Sequence, residues 1–342
     1  MSGTSRSVLL ERPGHSELVE GPLPRPGPGE VLVAVGAAGL CGSDVELYDG
    51  RRPEGYRRYP VVPGHEWAGT VAEVGESVSQ VRAGDRVVAE GIRWCGACAR
   101  CREGATNLCL APYAETGFTH PGAFSDHVVV PARLVHALPS GADLEQAALL
   151  EPAACVAAGV LVSPPQAGAR VAIIGAGTLG LLAVCLLRLH SPAELTVVDP
   201  RQDRRELALA LGATAAVAPP PPAGLEADLV VETAGVGETL PLALGAARRG
   251  GAVVALGIAG VGSVPIDPDV FAVRSLEVRG VFSAPTRAWQ HVVGLFAAGL
   301  LPLRELISHR LGLDGYEDAL ELVGRPGTGK VLLIPSLANG HA

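Results

Sequence analysis

The sequence predicts an α/β protein: a doubly wound parallel sheet in the middle of the chain, joined to a smaller β-barrel-like domain built from the two ends. Three observations carry this expectation. Before Leu144 the apolar runs are short, alternating and separated by Gly and Pro. From Arg170 strand-like and helix-like runs alternate, and after Gly299 the chain turns again before a last apolar strand. At 342 residues the chain has room for two domains, since roughly 150 residues per domain is usual.

In the first part, residues 31–35, 67–74, 86–89 and 124–130 read as strands between Gly/Pro turns. In the second, strands are expected at 170–174, 195–198, 228–231, 252–256 and 276–282, with helices at 179–189, 204–211 and 240–247. That βαβ rhythm implies parallel strands with crossover helices. The prolines at 219–222 read as a stiff surface turn, and 330–335 as the final strand. The expected domains are 1–151, containing a cysteine lobe at 91–112, then 152–299, then a return at 300–342.

Composition removes several functions. A net charge of −8 without a basic cluster argues against nucleic acid. Lys330 is the only lysine, and its place before a terminal strand makes it a poor Schiff-base residue. The start of the chain has no apolar signal core. The longest apolar runs are too short to span a bilayer, so the expected setting is cytoplasmic, with no membrane partner. The seven cysteines are then reduced, and a tight group of them points to metal.

Gly175-Ala176-Gly177-Thr178-Leu179-Gly180 is a G-x-G-x-x-G string that follows a predicted strand and opens a predicted helix, with Asp199 at the end of the next strand. In that context Gly175 allows the tight turn, Gly177 lets backbone approach a pyrophosphate, and Gly180 lets helix and sheet pack closely. The helix start offers N–H groups and a positive dipole to phosphates. Asp199 suits ribose hydroxyls and repels a 2′-phosphate, which favours NAD over NADP. Arg201 and Arg204 temper that preference, because arginine there can serve a 2′-phosphate.

Cys95, Cys98, Cys101 and Cys109 can wrap one tetrahedral ion, and a closed shell of four thiolates leaves no place for substrate. A structural zinc is expected, because the spacing does not match the ferredoxin run. Upstream lie Gly39-Leu40-Cys41-Gly42-Ser43-Asp44 and Gly64-His65-Glu66-Trp67-Ala68-Gly69, the latter continued by Gly75 and Val78. A mixed Cys/His/Glu set with an open position is a Lewis-acid site.

The G-H-E-x₂-G-x₅-G-x₂-V string, the four-cysteine lobe and the G-x-G-x-x-G, in this order, resemble the zinc-dependent medium-chain dehydrogenase/reductase superfamily, most closely its alcohol/polyol, sorbitol-dehydrogenase-like branch. The resemblance covers essentially the whole chain. It implies a GroES-like catalytic domain, a Rossmann domain, two zinc ions per chain, and an active site between the domains. It implies Cys41 and His65 as ligands of a catalytic zinc, with Glu66 and Glu151 both at the metal, one directly and the other directly or through water.

Ser43 occupies the place of the hydroxyl that receives the alcohol proton, and Asp44 supports the zinc loop. Glu46 stands where many relatives carry a relay histidine. It either takes over the terminal base role or is a solvated loop residue. The implied reaction is hydride transfer between a secondary alcohol (a polyol, sugar alcohol or aminocyclitol) and NAD, the ketone being the reverse substrate. An NADP-dependent carbonyl reductase and a non-catalytic NAD(H) sensor are the alternatives. A homodimer or homotetramer is expected, with 276–282 as the edge strand at the contact.

Overall fold

Valine spaced by two along Glu30–Gly39 puts one set of side chains inside, and this strand becomes the centre of the first sheet. The computed structural model describes residues 3–222, 224–258 and 264–337. Its chain divides into two units, one of residues 1–151 with 285–342, the other of 152–284.

The first unit begins with an antiparallel hairpin, β1 (Thr4–Arg12) and β2 (His15–Pro22). Then follow β3 (Glu30–Gly39), α1 (Gly42–Tyr48), β4 (Glu66–Val74) and β5 (Arg86–Ala89). The short helix α2 (Ala99–Arg102) lies in the cysteine lobe, before β6 (His127–Pro131), β7 (Val135–Ala137) and α3 (Leu144–Ala147). The sheet runs β14-β15-β3-β4-β5-β7, where β14 is Ile307–Leu311 and β15 is Lys330–Leu333, and β6 also pairs with β3. Register shifts between Leu32/Val33 and Val35/Ala37 bend the β3–β4 ladder. Val31, Val33, Trp67, Val71, Val87, Phe124, Val128 and Leu333 fill the core beneath it.

Helix α4 (Leu150–Val162) carries the chain across the unit boundary. The second unit has β8 (Arg170–Ile174), α5 (Thr178–Leu187), β9 (Glu194–Val198), α6 (Gln202–Ala210), β10 (Ala215–Val217) and β11 (Ala227–Glu232). It continues with α7 (Thr239–Ala246), β12 (Ala247–Ala255), α8 (Asp269–Arg274) and β13 (Glu277–Gly280). All six strands are parallel, in the order β10-β9-β8-β11-β12-β13. The order reverses beside β8, which makes the carboxyl ends of β8 and β11 the crevice where such sheets bind ligands. Strand β10 has only three residues, too short for alternation to reveal it in the sequence.

The return to the first unit comes earlier than the expected residue 300. Helix α9 (Thr286–Ala297) belongs there because Trp289 stacks on His136 of β7 at 5.8 Å. Thr286 also donates to the buried Glu90 at 3.1 Å. The short α10 (Tyr316–Leu322) then precedes β15.

Candidate metal centre and cofactor site

Cys41 is the N-cap of α1, and Glu66 opens β4 directly after His65. Because Gly39 pairs with Glu66 across the β3–β4 ladder, the two motifs meet at one end of the sheet. One donor atom each from Cys41, His65 and Glu66 lies within 4.8 Å of the others. Glu151 is outside that set. Asp44 is fully buried; its Oδ2 accepts the Cys41 N–H at 2.9 Å, and its Oδ1 lies 3.4 Å from His65 Nδ1. Those last two atoms are buried without a hydrogen-bond partner among the described residues. Burial works against a charged imidazole, but Asp44 and Cys41 outweigh it and raise the His65 pKa well above its ordinary value. The same negative surroundings favour a divalent cation, so the donor set fits a zinc ion with one position left for substrate.

Lys330, given no role in the sequence reading, is buried here. Its Nζ donates to Glu66 Oε2 at 2.5 Å and to the Leu40 carbonyl at 2.9 Å. Burial opposes its charge, yet Glu66 and Cys41 hold the ammonium above its ordinary pKa. The signal was present in the sequence as the only lysine opening the last strand, but the strand pairing that delivers it was not. Glu151 sits in the first turn of α4. Its carboxyl is pushed up to about 7, first by burial, with Glu66 and Glu115 adding repulsion against the attraction of His65 and Lys330. Ser43 lies half-buried in α1. Glu46 is also on α1, half-buried, rather than in a loop, because the Asp44–Cys41 cap extends the helix through it.

In the lobe, the four cysteine sulfurs lie within 4.8 Å of one another. The N–H groups of Ala97 and Cys98 point at Cys95 Sγ, and that of Leu110 at Cys98 Sγ, each at 3.4 Å. Such donors favour thiolate, and Cys98 is brought down to about 6, chiefly by the Leu110 N–H. A closed four-thiolate zinc shell fits this geometry. Trp94 ties the lobe to the barrel, donating to Glu90 at 2.8 Å while its carbonyl accepts from Arg133.

In the second unit, Gly177 caps α5, with Thr178 and Leu179 in its first turn. A Cβ at Gly180 would lie 1.9 Å from the Gly175 carbonyl oxygen, whereas one at Gly177 would meet nothing within 4 Å. The first glycine is needed for packing, and the second faces space that a pyrophosphate can take. Thr233, which the sequence reading did not single out, donates to the Ile174 and Gly175 carbonyls at 3.0 Å each and braces the loop.

Asp199, at the end of β9, accepts the Ala176 N–H at 2.7 Å and is clasped by Arg201 through Nε and an NH₂, both at 3.0 Å. Burial alone would raise its pKa; Arg201 and these N–H groups outweigh that and lower it. Arg201, which the sequence offered to a 2′-phosphate, is thus bound to Asp199. Arg204 is buried on α6, its Nε without a hydrogen-bond partner among the described residues. Burial and the charge of Arg201 lower its pKa. The Arg204 Nε lies 3.8 Å from Asp203 Oδ2, an ion-pair contact too long for a hydrogen bond, so the donor can still serve a ribose or phosphate oxygen.

Residues 27–140 match the alcohol dehydrogenase GroES-like domain, and residues 178–298 match the zinc-binding dehydrogenase family. The chain is 33% identical to L-threonine 3-dehydrogenase of Pyrococcus horikoshii, over 98% of this chain and 99% of that protein. It is 32% identical to sorbitol dehydrogenase of Bacillus subtilis, over 88% of each. A solved structure of a zinc-binding dehydrogenase from Sinorhizobium meliloti bound to NADP superposes with a TM-score of 0.91 at 34% identity, covering 97% of this chain and 100% of that one. The chain therefore belongs to the zinc-dependent medium-chain dehydrogenase/reductase superfamily and is an oxidoreductase of the alcohol/polyol type.

Proposed function

We propose that this protein catalyses the reversible NAD-linked oxidation of a secondary alcohol of the polyol, sugar-alcohol or aminocyclitol type. The observation that carries the reading is the meeting of Cys41, His65 and Glu66, a three-donor set of the kind that leaves zinc an open position. Bound there, zinc would supply Lewis acidity to the substrate hydroxyl, and the nicotinamide would take the hydride. Cys41, His65 and Glu66 hold the metal, with Glu151 beside them outside the immediate set. Asp44 orients His65. Ser43 takes the proton of the substrate hydroxyl, and Glu46, on the same helix, is the candidate to pass it to solvent. Cys95, Cys98, Cys101 and Cys109 hold a second zinc that shapes the lobe.

NAD is favoured over NADP because Asp199 keeps a carboxylate at the ribose position. The arginines at 201, 204 and 205 and the NADP-bound relative support the second reading, an NADP-dependent carbonyl reductase. Comparing kcat/KM for the two cofactors decides, and Asp199→Ala should lower the NAD/NADP ratio. The fully exposed pattern of β13 supports a homodimer or homotetramer joined along that edge.

Metal analysis with an alcohol screen, read as NADH absorbance, tests the function. About two zinc per chain, one easily chelated with loss of turnover, is expected. One inert zinc with no turnover on any alcohol or ketone would return the chain to a non-catalytic NAD(H) sensor.

A further inference from the structure

Lys330 ties together the two segments that carry the metal ligands. Its Nζ donates to the carbonyl of Leu40, the residue before Cys41, at 2.9 Å, and to the carboxylate of Glu66, the residue after His65, at 2.5 Å. Strand β15 brings it there. Leu332 and Leu333 pair with Gly39 and Ala38 of β3, and the Leu40 N–H donates to the Val331 carbonyl at 2.9 Å. The lysine and glutamate side chains are only 3% and 2% exposed, and they meet over a glycine. A Cβ at Gly39 would lie 2.5 Å from Glu66 Oε2 and 3.3 Å from Lys330 Cδ, so a side chain there would push the pair apart.

A buried ion pair is a weak source of stability, because desolvation offsets most of its attraction. Here the pair also determines what Glu66 can offer a cation. A carboxylate has two acceptor oxygens. Oε2 is engaged by the ammonium, and among the described residues no hydrogen bond reaches Oε1. One oxygen of Glu66 therefore remains to join the donors of Cys41 and His65. Three protein donors leave a tetrahedral ion a fourth position. A second oxygen from Glu66 would fill it.

We propose that Lys330 is a positioning residue that holds Glu66 to ligation through one oxygen and so keeps a position at the catalytic zinc open for substrate. This role rests on the metal centre proposed above. Without the ammonium, Oε2 is released, a positive charge leaves the neighbourhood of the cation, and the buried carboxylate has only the metal to compensate it. All three changes act in one direction, towards tighter metal and no room for an incoming ligand. A lysine that only supported the fold would act the other way. Its loss would loosen the metal by about 10- to 100-fold, as removal of a group that orients a ligand ordinarily does.

The test reads the metal itself. Cobalt replaces the easily chelated zinc, zinc is kept in the cysteine lobe, and the visible absorption is followed as imidazole, a neutral ligand for an open position, is added. The parent spectrum should shift as imidazole binds. In Lys330→Met the resting spectrum should already differ from the parent's, and imidazole affinity should fall by at least about tenfold. The zinc form of that variant should lose its ion to a chelator at least about tenfold more slowly, because the buried carboxylate has no other partner. Lys330→Arg, which keeps the charge and the donors, should behave as the parent. Lys330→Gln, a milder change that leaves a neutral donor near Oε2, should move the same way as Lys330→Met by less, and it serves if the methionine variant does not fold. Faster zinc loss with an unchanged imidazole response would overturn the role and leave Lys330 a support of the fold. A parent that takes up no cobalt outside the lobe would end the metal reading, and this role with it.

Discussion

Lys330 and Glu66 are both almost wholly buried and 2.5 Å apart. Removing one partner leaves an uncompensated buried charge, which costs about 3–5 kcal/mol. Lys330→Ala should therefore lower the urea-unfolding free energy of the metal-free protein by about 3 kcal/mol. Lys330→Met combined with Glu66→Gln should recover most of it; equal losses in single and double variants would remove the pairing argument.

Asp199 makes a pH-dependent prediction. Its folded pKa is lowered, Arg201 and the backbone N–H groups overcoming burial. A depressed carboxyl pKa stabilises the fold above the unfolded value and stops doing so as pH falls through the folded one. Asp199→Asn should thus cost about 1–2 kcal/mol at pH 7, and converge on the parent in acid below the ordinary carboxylate range. Unfolding midpoints at the two pH values give the answer.

Among the elements, the turn from β8 into α5 separates two glycines that look alike in the sequence. Gly180 is in contact with the Gly175 carbonyl and Gly177 is open. Gly180→Val should destabilise the second unit, seen as a lower Tm with or without cofactor. Gly177→Val should leave the Tm of the free protein within a degree or two and weaken NAD binding by at least about tenfold, the crowding falling on pyrophosphate alone. In the cysteine lobe, Cys98→Ser breaks the four-thiolate shell. It should reduce bound zinc from about two to about one per chain and open 95–112 to proteolysis, while Trp94 and Glu90 continue to anchor the barrel side.

At the scale of the molecule, β13 is an edge strand whose four residues are all exposed, with Val278, Phe271, Val273 and Phe282 forming exposed apolar surface around it. An open strand edge flanked by exposed apolar side chains invites pairing with another copy. Val278→Lys should shift the protein to a smaller species in sedimentation velocity, with the far-UV circular dichroism unchanged. A parent that sediments as a monomer would exclude the contact.

Local patterns decided most of the architecture. Alternating valines specified β3, short apolar runs between Gly/Pro turns marked β4 and β5, the βαβ rhythm specified the parallel sheet, and the four-cysteine lobe and G-x-G-x-x-G are local strings whose candidate chemistry is legible from their spacing. What the sequence could not yield are contacts made by long-range pairing. The β3–β4 register brings Cys41 to His65 and Glu66, β15 delivers Lys330, and the Trp289–His136 stack sets the return at Pro285 instead of residue 300. The choice of Glu66 over Glu151 at the donor set and the clasp of Arg201 on Asp199 belong to the same class. Each depends on which buried charge finds a partner, and that is settled only when distant segments share one low-dielectric interior.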